Sequence, residues 1–134
     1  RGGQAGDLYV DIVVEAHPFF ERSGADIICE VPISFPQAAL GTTIHVPTLK
    51  GKANVKVPPG TQSGKSLRLR GKGLPHVHQR GMGDQLIRLQ IETPADLTDE
   101  QRGLLEQFET LTAGSSEHLA RRRTFLDKLK DFFG

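Results

Sequence analysis

Several groups of residues in this sequence have the types and spacing to do chemistry. Gly60-Thr61-Gln62-Ser63-Gly64-Lys65-Ser66 carries the glycines, lysine and hydroxyl of a phosphate-binding loop. Such a loop needs four residues between its glycines, a strand before it and a helix after it. Here three intervene, Pro58-Pro59 stands where the strand should run, and Leu67-Arg68-Leu69-Arg70 continues as alternation, so the segment reads as a hairpin turn. His76-x-His78, with His17, Cys29 and His45 elsewhere, raises the question of a metal site. Two histidines on alternate loop positions supply only two ligands, and no carboxylate sits at companion spacing, so no metal is expected. Cys29 lies in phase with Ile27, Val31 and Ile33, which reads as a small buried side chain rather than a nucleophile. No set of acid, base and nucleophile converges, and the chain is not expected to be an enzyme. Lys65, Arg68, Arg70, Lys72 and Arg80 form a basic stretch, but residues 65–82 hold no aromatic side chain for base stacking, so nucleic acid is not an expected partner.

With catalysis set aside, the elements that carry these residues become informative. From Asp7 to Glu92 the apolar residues recur with period two, as in Leu8, Val10, Ile12 and Val14, and again in Leu86, Ile87, Leu89 and Ile91. Turn chemistry at residues 22–26, 49–52, 58–61 and 71–73 separates the runs, which predicts short strands in a small β-sandwich. Phe35-Pro36-Gln37-Ala38-Ala39-Leu40-Gly41 predicts one helical turn, with Pro suited to its start and Gly to its end. After Pro94 the period changes to 3.6. Thr98-Asp99-Glu100-Gln101 is a capping box, and Leu104, Leu105, Phe108 and Leu111 give the following helix an apolar face. Residues 112–117 form a Gly/Ser-rich break, after which Phe125, Leu126, Leu129, Phe132 and Phe133 fall at i, i+1, i+4, i+7 and i+8.

The 134 residues, 37% hydrophobic and 25% charged, suit one compact domain plus a tail. Burial at this size needs no disulfide or metal, and the single cysteine fits a reducing, cytoplasmic setting. A net charge of +1 and the lack of a long apolar run predict neither a nucleic-acid nor a membrane partner. The start, Arg1-Gly2-Gly3, lacks an initiator Met and reads as that of a fragment. Gly6-Asp7-Leu8-Tyr9-Val10-Asp11-Ile12-Val13-Val14-Glu15 is echoed 77 residues later by Gly83-Asp84-Gln85-Leu86-Ile87-Arg88-Leu89-Gln90-Ile91-Glu92. The repeat predicts tandem β-domains. Residues 1–16 are then the closing strand of a largely missing upstream domain, 17–97 a complete second domain, 98–112 a helix, 113–120 a linker and 121–134 an amphipathic helix.

The order of blocks makes a resemblance specific. Gly6-Asp7-Leu8-Tyr9-Val10, His17-Pro18-Phe19-Phe20-Glu21-Arg22, Cys29-Glu30-Val31-Pro32-Ile33-Ser34-Phe35, Val46-Pro47-Thr48-Leu49-Lys50-Gly51, Pro58-Pro59-Gly60-Thr61-Gln62-Ser63-Gly64-Lys65 and Arg68-Leu69-Arg70-Gly71-Lys72-Gly73-Leu74-Pro75 together resemble the C-terminal region of DnaJ-type co-chaperones. The family's His-Pro-Asp motif is not present, since Phe19 follows His17-Pro18, and neither are the Cys-x-x-Cys pairs through which much of the family binds zinc. The resemblance implies a homodimer that holds unfolded polypeptide clients for a DnaK-type chaperone, with no cofactor in this piece. By the internal repeat, Val31, Ile33, Phe35, Ala39, Leu40 and Ile44 correspond to the client groove. Phe125, Leu126, Leu129, Phe132 and Phe133 are assigned to the dimer contact, by period and by resemblance. The competing expectation is a monomeric spacer domain that binds no client.

Overall fold

The computed structural model describes residues 18–114 and 119–134, so the strand expected within residues 1–16 lies outside the described residues. The chain divides into two compact units, residues 1–93 and 94–134.

Within the first unit, β1 (Phe20–Ser23), β2 (Asp26–Ser34), β3 (Thr42–Thr48), β4 (Gly51–Val57), β5 (Ser66–Leu69) and β6 (Gln85–Glu92) are the strands, and α1 (Phe35–Leu40) follows β2 directly. A four-stranded sheet has the order β1-β2-β6-β5, and β3 and β4 make a separate two-stranded ribbon. β2 and β6 run parallel, in register from Ile27↔Gln85 to Ser34↔Glu92. A parallel pair needs a long connection; here it contains α1, the ribbon and β5. β1 and β5 flank the pair in antiparallel fashion.

Period-two alternation decides which side chains enter the core. Ile33, Ile44, Val46, Val55, Val57, Ile87 and Leu89 meet between the ribbon and the larger sheet, with Ala38 of α1 beneath them. A second cluster holds Phe20, Ile27, Cys29 and Leu74. The expected helical turn is α1, capped by Ser34. Its hydroxyl accepts from the Gln37 amide at 3.1 Å, and the Gln37 side chain accepts from the Ser34 amide at 2.9 Å.

One local expectation fails. Residues 60–66 do not close a hairpin, because β4 pairs with β3 and β5 pairs with β6; the segment crosses from one sheet to the other. Its backbone is already engaged. The Gly64 amide donates to the Leu89 carbonyl at 2.7 Å and the Ser63 hydroxyl accepts from the Ile91 amide at 3.0 Å, so these groups face β6 rather than a phosphate.

The second unit contains α2 (Asp99–Ala113) and α3 (Ala120–Phe133), neither with a buried residue. Thr98 caps α2 through the reciprocal pair with Gln101, at 3.1 and 2.9 Å. Arg122 of α3 lies 3.8 Å from Glu109 of α2. Among the described residues no helix is long and apolar enough to cross a membrane.

Candidate functional site

The six residues expected to line a client surface separate into two groups. Ile33 and Ile44 are core residues, 3% and 9% exposed, and Val31 is half-buried against both clusters. Phe35, Ala39 and Leu40 are exposed, Leu40 at 77%. The physical reason is strand phase: Ile27, Cys29, Val31 and Ile33 share the inward side of β2, so that strand turns its apolar side chains into the sandwich. α1 does the opposite. Ala38 is its one buried side chain, while Phe35 and Ala39, four residues apart on one helix face, and Leu40 beside them keep exposed surface.

The five residues of the tail stripe are all exposed: Phe125, Leu126, Leu129, Phe132 and Phe133. The Phe132 and Phe133 rings sit edge to face with centroids 5.2 Å apart. Leu104, Leu105, Phe108 and Leu111 of α2 are exposed as well. The sequence reading gave α2 an apolar face but no role in self-association, although the 3.6 period was the same signal.

Other candidate chemistry is placed plainly. Cys29 is 2% exposed, and desolvation pushes its thiol above the usual range, so it stays protonated. His76 and His78 line a shallow groove of about 320 Å³ with Arg22, Pro75 and Val77, over the β1–β2 turn. His45 pairs through Nδ1 with the Asn54 side-chain oxygen across the ribbon.

Sequence reasoning saw Gly83-Asp84 only as a turn before a strand. It is a clasp. The Gly73 amide donates to the Gly83 carbonyl at 2.9 Å, the Gly83 amide to Leu74 at 2.7 Å, and the Leu74 amide to Ala25 at 2.7 Å. Asp84 secures the base of this loop, accepting from the Gly71 amide at 2.9 Å and from Arg68 at 2.5 Å, while its own amide donates to Asp26 at 2.7 Å. The Gly71 amide and then Arg68 hold the Asp84 carboxyl below the usual carboxylate range. A depressed folded-state pKa contributes stability that is present above the unfolded value of about 3.9 and is lost as pH falls through the folded one. Asp84→Asn is therefore expected to lower the urea midpoint at neutral pH and to lose that deficit progressively below about pH 4. An identical deficit across the acid range would show that the carboxylate charge contributes nothing.

The chain matches the DnaJ C terminal domain family over residues 1–94. It is 53% identical over 134 residues to the chaperone protein DnaJ of Syntrophotalea carbinolica, covering 100% of this chain and 35% of that protein. It is 51% identical to the chaperone protein DnaJ of Shouchella clausii (99% of this chain, 35% of that protein) and 50% identical to that of Burkholderia mallei (99% and 36%). The chain thus spans about a third of the length of these relatives. With a mainly β domain followed by two C-terminal helices, and a match that takes in the whole of that domain, the chain belongs to the DnaJ C-terminal domain family.

Proposed function

We propose that this chain is the C-terminal module of a co-chaperone that dimerises through its tail and helps hold unfolded polypeptides for a DnaK-type chaperone, without catalysis of its own. The supporting observation is the unpartnered apolar stripe of α3. Its five side chains are exposed on a 14-residue helix that is marginal alone in water. Burial at about 1.5 to 3 kcal/mol per side chain supplies on the order of 7 to 15 kcal/mol as an upper bound, enough to hold two copies together. The exposed residues Phe35, Ala39 and Leu40 of α1 are the proposed client contact in each copy, and two such surfaces in one dimer bind one chain with avidity.

Light-scattering mass across a concentration series tests this, comparing the chain with one truncated after Thr112. The expected result is a dimer that becomes a folded monomer on truncation. A monomer in both cases would leave a spacer domain with a single weak surface.

A further inference from the structure

The near-neutral net charge hides a segregation. Of 17 Lys and Arg against 16 Asp and Glu in the chain, residues 35–83 hold eight Lys or Arg and no Asp or Glu at all. On the four-stranded sheet, cations are answered from elsewhere in the chain: Arg68 by Asp84 at 2.5 Å and Arg88 by Glu30 at 3.7 Å. On the ribbon they are not. β3 and β4 send Ile44, Val46, Val55 and Val57 into the core, so the alternate positions face out: Thr43 opposite Lys56, His45 opposite Asn54, and Pro47 opposite Lys52. Lys50, at the ribbon's turn, adds a third exposed ammonium. None of the three lysines has a carboxylate partner among the described residues.

We propose that the outer face of the β3–β4 ribbon binds an extended acidic polypeptide segment, with Lys50, Lys52 and Lys56 as its charge contacts and the His45–Asn54 pair as a polar floor. Lys52 and Lys56 lie about 13 Å apart along one side of β4 at ~3.3 Å per residue. Carboxylates four residues apart on an extended segment match that spacing. Nucleic acid fits less well, since Phe35 is the only aromatic residue in the stretch and no stacking platform accompanies the lysines. The site is separate from the apolar surface on α1 and does not rest on the client-holding reading.

The probe is a short fluorescein-labelled peptide alternating Glu and Ser, followed by anisotropy on the full chain at low and at physiological salt. Lys50→Gln/Lys52→Gln/Lys56→Gln is expected to weaken binding by about tenfold, and Lys65→Gln/Lys72→Gln/Arg80→Gln, which removes the same charge elsewhere, by less than about twofold. Circular dichroism establishes that both variants are folded. Equal losses in the two variants would reduce the effect to net charge and overturn the proposal. Tighter binding of a short DNA duplex than of the peptide would also overturn it, in favour of a phosphate surface. So would an absence of peptide binding with aggregation of the ribbon variant, which would leave the lysines as guards of an open sheet edge.

Discussion

Gly83→Ala is expected to destabilise the β-domain by about 3 kcal/mol or more, read as a fall in the urea midpoint. A methyl group added at Gly83 would overlap the carbonyl of Ala25 well inside van der Waals distance and would reach the Ala25 Cβ at 2.9 Å. These are mostly backbone atoms, which cannot swing aside as a flexible side chain can. Neighbouring bonds hold them further. Ala25 accepts from Leu74, Gly83 is tied to both Leu74 and Gly73, and the Asp84 carbonyl accepts from Ile27 at 3.0 Å. Relief of the overlap must lift the loop from the β1–β2 turn, and Leu74, only 1% exposed, would leave the cluster it shares with Phe20, Ile27 and Cys29. Gly73 repeats the constraint, since its added methyl would lie 2.6 Å from both the Ala25 and Asp84 carbonyls. Gly103, inside α2 with nothing within 4 Å of an added methyl, serves as the control. Gly103→Ala should stabilise that helix by roughly 0.5 to 1 kcal/mol. An unchanged midpoint for Gly83→Ala would mean that the loop does not rest on Ala25 in solution.

The internal repeat marked Gly83-Asp84, yet period and turn propensity could not say what the pair does. A glycine's role here depends on a segment 58 residues earlier in the chain, and spacing along the sequence carries no such information. The same boundary runs through the rest of the molecule. Alternation along β2 and β6 was legible, and with it the sandwich, the helical turn at Phe35 and the cap at Thr98, because each is decided by neighbours within a few residues. The parallel pairing of β2 with β6 was not, because period two fixes which side of a strand is buried and leaves its partner open. That gap produced the mistaken hairpin at residues 60–66. The mixed client set has another source: Ile33 and Ile44 were grouped with Phe35 and Leu40 by the internal repeat, although strand phase places the first two inside. Gln85 is a different case. It is in phase with Ile87 and Leu89 on the inward side of β6, a polar position that the reading of the sequence did not single out.

The inward position of Gln85 leads to the second large effect. Its side chain is 0% exposed; Nε2 donates to the Pro47 carbonyl at 2.8 Å, and Oε1 has no hydrogen-bond partner among the described residues. The amide therefore spans from β6 to β3 and links the larger sheet to the ribbon through one bond. Gln85→Glu keeps the shape and changes the chemistry. A protonated carboxyl can still donate to Pro47, whereas a carboxylate would press an anion against a carbonyl oxygen with no donor to answer it. Burial raises such a pKa well above the unfolded value of about 4.3, and comparable buried glutamates reach roughly 8 to 9. A group whose folded pKa is raised contributes stability that is intact below the unfolded pKa and is lost as pH rises toward the folded one. Near pH 4 the variant should thus lie within about 1 kcal/mol of the parent. By pH 7 it should fall about 4 kcal/mol below it, which is 1.36 kcal/mol for each pH unit above the unfolded pKa. Gln85→Leu separates the bond from the charge: it removes the unpartnered oxygen but strands the Pro47 carbonyl, for a loss of about 1 to 2 kcal/mol that does not vary with pH. Urea midpoints of the three proteins from pH 4 to 8 are the measurement. A pH-independent gap between parent and Gln85→Glu would show that water reaches this residue, and the two sheets would then be joined less tightly than one buried amide implies.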